Sequence, residues 1–344
     1  MRHRALGLAA ALVALALAGG AGAQAPQAGQ PAAKRLVLAM AVTPPNLVHI
    51  SPYLAKDLGY FKEEGLDVEI ISFEGGVGTL RAVLAERADL SWTSSDPPIV
   101  ARTRGAAIRL IYSSAPRLEA VLTVQGDIKT LKDLKGRKLG IQEPNGFADI
   151  FSRRALLLAG LKPTDAQFIS TSTAGRVPAL ITGQVDTGVL HVEQAIRAIK
   201  RKPTLHNLIN FWEAFPDSLY SVIVVHEKKL KEDPAAVTAF VRAVIKSNRF
   251  IYQNKEKTLD AAVEFTGYSR EELEPAYDQL VKGRVWSVND GIPKRMVEAS
   301  IENQVRVGNI PADKRPKYED LVDLGPVTEA LKSLGRWTDD PNYL

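Results

Sequence analysis

Short apolar runs alternate with amphipathic stretches of helical period through most of the chain, and that alternation predicts α/β architecture. The clearest instance is 58–98. It reads as a helix end, a buried strand at 68–73, a Glu74-Gly75-Gly76 turn, a helix at 77–85 and a strand at 90–93. This is a βαβ unit. A parallel crossover brings both strand C-termini to one edge, so the turns at 74–76 and 94–96 should line one crevice.

The same reading extends along the chain. A first strand at 34–42 is stopped by Pro44 and Pro45, and a helix follows from an Ser51 N-cap with Pro52 in first position to about residue 62. A helix at 97–104 and strands at 108–114 and 120–124 complete the opening series, with the last strand read as the first crossing between lobes. Strands at 138–142, 167–170 and 187–190, interleaved with helices at 147–159, 174–182 and 193–200, then form a second series. The β-branched run 220–226 is read as the return crossing. Beyond it the spacing is helical: 234–254, with Asp233 as N-cap, then 259–265, 270–280, 293–307 and 327–334. The expected division is a discontinuous first lobe, 34–124 plus 226–344, and a second lobe, 125–225.

Several of these stretches are also familiar as wording. LGYFKEEGLDVEII at 58–71, AVLAERADLSWT at 82–93, LKDLKGRKLGI at 131–141, GLKPTDAQFI at 160–169 and ALITGQVDTGVL at 179–190 follow one another in an order and spacing that resembles the periplasmic solute-binding proteins of ABC importers. The most similar branch handles alkanesulfonates, taurine, nitrate and pyrimidine precursors of thiamine. The resemblance implies a two-lobed type II periplasmic binding fold, each lobe a mostly parallel sheet flanked by helices, with two hinge crossovers. It also implies C-terminal helices packed on the first lobe. Such a protein captures a small organic solute in its interlobe cleft, closes by hinge motion and delivers the solute to a membrane permease and its ATPase. It works as a monomer, without a cofactor and without catalysing a reaction.

The N-terminus bears on location. Arg2 and Arg4, an apolar run at 5–18 and the closing Ala21-Gly22-Ala23 read as a cleavable secretory signal over 1–23, followed by a flexible leader at 24–33 rich in Pro, Gln, Gly and Ala. The apolar run is shorter than the ~20 residues a spanning helix needs, so no membrane anchor is expected and the mature protein is placed in a periplasm. The chain of 344 residues contains no Cys, which excludes disulfides, thiolate metal sites and a lipidated N-terminal Cys. Loss of Arg2 and Arg4 lowers the formal charge from +5 to +3, too little for a nucleic-acid partner. None of the five histidines stands at i, i+4 from another, so no metal site is expected. Nucleophile-elbow, Walker and dinucleotide motifs are absent from the sequence. A fungal branch of the same superfamily makes the thiamine pyrimidine with a Cys-rich iron motif, which this sequence lacks. A ligand sensor docking on a receptor stays open beside transport.

Polar turns at strand ends and helix N-termini can hold a solute with free N–H groups. In the first lobe these are 43–46, ending in Asn46, then Glu74, Gly75 and Gly76, then Ser94, Ser95 and Asp96. In the second they are Asn145, Gly146 and Phe147, then 171–173 ending in Thr173, with Arg176, His191 and Glu193 beyond. Glycines 75 and 76 would allow close backbone approach. Asp96 is read either as a cap for the helix at 97 or as a cleft residue, and His191 as either a structural histidine or a ligand contact. Arg176 is either a solvated surface arginine or a partner for a ligand anion. Trp92, Phe147, Trp212 and Tyr220 are aromatic candidates, with Trp92 placed in the core. Because Glu74, Asp96 and Glu193 put more acid than base at the expected cleft, the ligand is expected to carry N–H donors, as a pyrimidine does, rather than to be a simple sulfonate.

Overall fold

The computed structural model describes residues 33–338, so the signal at 1–23 and all of the leader but Ala33 lie outside the described residues. The chain begins with β1 (Lys34–Met40), α1 (Ser51–Asp57), α2 (Tyr60–Glu63), β2 (Leu66–Ser72), α3 (Gly76–Leu84), β3 (Leu90–Ser94), α4 (Asp96–Thr103) and β4 (Ile108–Arg117). It continues through β5 (Ala120–Val124), β6 (Lys138–Ile141), α5 (Phe147–Leu158), β7 (Gln167–Ser170), α6 (Arg176–Thr182), β8 (Thr187–His191), α7 (Val192–Arg201), β9 (His206–Asn210) and α8 (Phe211–Ala214). After β10 (Leu219–His226) come α9 (Glu227–Glu232), α10 (Pro234–Gln253), α11 (Lys255–Thr266), α12 (Arg270–Lys282), α13 (Lys294–Arg306), α14 (Tyr318–Leu321) and α15 (Gly325–Leu334). Among the described residues no helix is long and apolar enough to cross a membrane.

The strands form two five-stranded sheets, ordered β2-β1-β3-β10-β4 and β7-β6-β8-β5-β9. β1 runs parallel to β2 and β3, and β6 parallel to β7 and β8. β10 is antiparallel to β3 and β4, and β5 to β8 and β9. Both sheets therefore carry one antiparallel strand in the fourth place. It is in each case the first strand the chain enters after changing sheets, by way of 118–119 and 215–218. This is the two-lobed periplasmic binding fold that the wording of the sequence implied.

The lobe limits drawn from sequence do not follow the sheets. The strand at 120–124, expected to close the first lobe, lies inside the second sheet, with Val121 opposite Leu190. The run 220–226, expected at the end of the second lobe, lies inside the first, with Ile223 opposite Trp92. Both are apolar runs whose local pattern says that they are buried strands and nothing about which sheet they join.

Side-chain alternation puts each sheet between two cores. On β10, Ile223 and Val225 join Leu36, Leu38, Trp92, Phe240 and Val244, whereas Val222 and Val224 join Leu80, Val83 and Met296 on the other face. In the second sheet Leu122 and Val189 face Leu139 and Phe151, and Val121 and Leu190 face Leu180 and Val185. Each such fully buried aliphatic side chain contributes about 1.5–3 kcal/mol.

Three local expectations are revised. The helix read over 51–62 breaks at Gly59, whose φ of 78° only glycine adopts cheaply, into α1 and α2. Ser51 is the first helical residue rather than the cap, and its hydroxyl donates to Asn248 Oδ1 at 2.6 Å in the core. The C-terminal helices α10 and α15 pack on the first lobe, but α12 lies against α7 of the second, joined by Arg197 and Glu272 at 2.7 Å. β9 is an edge strand of sequence HNLIN, too polar for periodicity to reveal.

Candidate functional site

The loops that leave the strand C-termini of both sheets meet around a small cavity of about 20 Å³, room for roughly one water. Gly75, Gly76, Thr93, Ser94 and His49 line it from the first lobe. Gln142, Glu143, Phe147 and His191 line it from the second, with Tyr220 of β10 between them. The loops at 74–76 and 143–147 face each other across it: Val77 N donates to Glu143 Oε1 at 3.0 Å.

Its floor is a chain of polar side chains that runs from one lobe to the other. His49 Nδ1 hydrogen-bonds Asn46 Oδ1, and Tyr220 OH lies 3.5 Å from His49 Nε2 and 3.4 Å from His191 Nε2. At the far end His191 Nδ1 meets Glu119 Oε1, while Glu119 Oε2 accepts from Val192 N at 3.3 Å. All five residues are buried. Phe147 lies parallel to the His191 ring, centroids 5.6 Å apart.

Burial sets the protonation of this chain. Desolvation, with Arg176 nearby, pushes His191 down to about 3, and desolvation, with His191 and Arg176 nearby, holds His49 well below the usual imidazole range. Desolvation also raises Glu119 well above the ordinary carboxylate range and lifts Glu193 to about 7, the latter reinforced by Glu119. One proton arrangement gives each contact along this line a donor and an acceptor. A neutral Glu119 donates to His191 Nδ1, His191 Nε2 donates to the Tyr220 oxygen, Tyr220 donates to His49 Nε2, and His49 Nδ1 donates to Asn46. The site is polar yet uncharged along this line, and the two contacts at Tyr220, at 3.5 and 3.4 Å, are its longest.

Of the residues expected at the cleft, Gly75, Gly76, Ser94, Phe147 and His191 line the cavity, and Asn46 sits behind His49 with its Nδ2 unpartnered. Gly146 packs against the Glu143 side chain. The others are placed differently. Glu74 is exposed and closes the mouth, accepting from Thr173 N and Thr173 Oγ1, both at 2.8 Å. Ser95 is a structural residue whose hydroxyl donates to Leu219 O at 2.6 Å. Asp96 neither caps α4 nor reaches the cavity: it is buried against Arg154 Nη2 at 3.2 Å and against Gln304. Asn145 is exposed, with φ of 62°, and lines an outer groove. Arg176 is buried rather than solvated. Its Nη1 donates to Val189 O at 3.3 Å, its Nε is unpartnered, and it borders a groove with Tyr268 outside the cavity. Glu193 accepts from Leu47 N of the first lobe at 3.3 Å, with Oε2 unpartnered.

Glu74, Asp96 and Glu193 are therefore not among the residues that line this cavity, where the acid is Glu143. Glu143, Glu119, His49, Thr93 and Gln142 were missed by pattern reading. Glu119 and His49 did leave a trace, as single titratable residues inside the apolar stretches LEAVL and LVHI. Glu143 left none, because a Glu in a Gln-Glu-Pro-Asn turn looks like solvent-facing loop. A larger concavity of about 900 Å³ lies by the crossovers, between Arg117, Trp212, Leu280 and Arg295. Both of its arginines are engaged, Arg117 with Gly283 O at 3.0 Å and Arg295 with Asp217 at 3.7 Å. Among the described residues no cluster of three or more His, Cys, Asp or Glu could hold a metal.

Comparison with known proteins agrees with this architecture. The family described as NMT1/THI5 like matches residues 46–258. A Brucella abortus protein named as a binding protein is 24% identical over 225 residues, covering 64% of this chain and 69% of that one. The 4-amino-5-hydroxymethyl-2-methylpyrimidine phosphate synthase of Saccharomyces cerevisiae is 21% identical over 238 residues, covering 64% and 68%. Among solved structures, the ligand-binding component of an ABC-type import system from Staphylococcus aureus, with zinc bound, superposes with a TM-score of 0.71 at 16% identity, covering 86% of this chain and 99% of that one.

Proposed function

This chain belongs to the NMT1/THI5-like family, and from that premise we propose that it is the substrate-binding component of an ABC-type importer. It is secreted, works as a monomer outside the cytoplasm, and captures a small organic solute between its lobes for delivery to a permease and its ATPase. One observation supports the reading: loops from both sheets line one polar cavity, and contacts such as Val77 with Glu143 and Tyr220 with His191 join one lobe to the other beside it. A cavity with room for roughly one water cannot admit a ring-sized solute, so ligand entry requires the lobes to part about 118–119 and 215–218 and then close again.

The chemistry favours an uncharged or N–H-bearing ligand. The imidazoles of His49 and His191 and the Tyr220 hydroxyl offer neutral hydrogen-bonding edges, and Phe147 and Tyr220 offer ring faces. A nitrogen heterocycle such as a pyrimidine fits this set better than a simple sulfonate. A thermal-shift screen over pyrimidines, aromatic acids, sulfonates and nitrate, followed by calorimetry, tests the assignment. A true ligand at 100 times its Kd adds about 2.7 kcal/mol to stability. Binding should be one to one and should be lost in Tyr220→Phe and His191→Ala. Turnover of the bound solute, or binding that survives both substitutions, would overturn the reading.

A further inference from the structure

The N-terminus of α3 is occupied by the protein itself. This nine-residue helix opens at Gly76 on the cavity wall, where its free N–H groups point at the opposite lobe. Glu143 of the second lobe fills that position: Val77 N donates to its Oε1 at 3.0 Å, and the Gly76 N–H adds to the hold. The surroundings are cut to its shape from both sides. A Cβ on Gly75 would collide with the Glu143 carboxylate, and a Cβ on Gly146 would come within 2.7 Å of Glu143 Cγ. Beside the helix end, Thr93 Oγ1 is fully buried, lines the same cavity and has no hydrogen-bond partner. The wall of the cleft therefore holds one carboxylate, already supplied, and one hydroxyl waiting for a partner.

We propose that Glu143 is the specificity residue of the cleft: by placing a fixed carboxylate on the α3 N-terminus it rejects sulfonates, nitrate and carboxylates and selects neutral or cationic solutes with N–H donors. The inference rests on the solute-binding reading. An anionic group held between the lobes as they close again competes with the Glu143 carboxylate for the helix N-terminus and meets a like charge there, in a half-buried site where screening is weaker than in open water. A solute with N–H groups meets the opposite situation, since a carboxylate has lone pairs to spare beyond those used by the helix. The unpartnered Thr93 hydroxyl can then serve either as donor or as acceptor.

The test compares wild type with Glu143→Ala, which vacates the helix end, and Glu143→Gln, which keeps it filled by an uncharged group. Each is titrated calorimetrically with propane-1-sulfonate, nitrate and benzoate, and far-UV circular dichroism and the unliganded melting temperature establish folding. Wild type should give no heat at millimolar anion, and Glu143→Ala should bind at least one of the three about 10- to 100-fold more tightly than wild type. Glu143→Gln should gain less than Glu143→Ala. Tight anion binding by wild type would overturn the specificity role while leaving the solute-binding reading intact. Folded Glu143→Ala that binds none of the anions would overturn it as well, and the solute-binding reading is then decided separately by the heterocycle screen.

Discussion

In the first lobe the loops at the cavity are Gly75, Gly76, Thr93 and Ser94, mostly backbone and small hydroxyls, whereas in the second they carry Glu143, Phe147 and His191, with Glu119 and Glu193 behind. The strand order of the two sheets is the same, so the difference does not come from topology. The first lobe supplies oriented N–H groups, whose positions are set by the strand-to-helix turn, together with the buried His49 and Tyr220. The second supplies the buried acids and His191, which become costly when the lobes meet and water leaves. The carboxylate part of the closure cost is therefore written mainly into the second lobe.

A buried ion pair between Asp96 of the first lobe and Arg154 of the second joins these halves, both side chains being only 3% exposed. Asp96→Ala leaves Arg154 buried without a counter-charge and is expected to cost about 3–5 kcal/mol, read from urea denaturation. A loss below about 1 kcal/mol would show that the lobes separate there without penalty.

Glu193 and His191 test whether the second lobe carries the electrostatic cost. Glu193 titrates at about 7, above its ordinary value of 4.5, so between these pH values the folded state keeps a proton that the unfolded chain has released, and raising the pH costs stability. His191 titrates at about 3, below its ordinary 6.5, so as pH falls through that range the unfolded chain takes up a proton that the folded state refuses, and lowering the pH costs stability. The two effects oppose each other between about pH 4.5 and 6.5. Glu193→Gln should remove one of the two acids that oppose the histidine, leaving Glu119: across that window the slope of its melting temperature against pH should be more positive than that of wild type. Above pH ~7 it should exceed wild type by about 2–3 kcal/mol. A variant with the wild-type pH profile would refute this account.

Tyr220→Phe removes the hydroxyl that stands between one imidazole from each lobe. With no ligand bound, the orphaned Nε2 groups should cost about 1–2 kcal/mol by denaturation, with the wild-type fold retained by circular dichroism. The smallest effect is expected at the exposed rim, where Glu74→Ala deletes the acceptor of the two Thr173 bonds. Stability should change by no more than about 1 kcal/mol, while small-angle scattering of the unliganded protein should show a more open average shape. An equal loss at Glu74 and Asp96 would erase the distinction between a buried joint and a surface latch.

Much of the architecture was legible in the chain. Strands such as 120–124 and 167–170, and the helices around 147–158 and 234–253, follow directly from period and caps. The turns at 74–76 and 94 came to the cavity because parallel crossovers dictate which strand ends share an edge. The acids were harder. Glu74, Asp96 and Glu193 stand in the right loops, yet their carboxylates are engaged by Thr173, by Arg154 with Gln304 and by Leu47 N. Glu143 lies in a turn with no distinguishing pattern and is nevertheless the acid at the helix end. Sequence position places a side chain on a loop, but it does not state which partner claims the side chain first.

Periodicity, turn residues and motif order determined by themselves that this chain builds two α/β lobes with their loop-bearing edges available for a solute, because burial of alternating side chains and the handedness of crossovers are local or nearly local constraints. Only the tertiary structure decided which sheet β5 and β10 join, and how Glu119, His191, Tyr220, His49 and Asn46 form one neutral chain across the lobes. Those outcomes depend on contacts between residues far apart in sequence, and on the loss of water when the lobes meet, which no local pattern encodes.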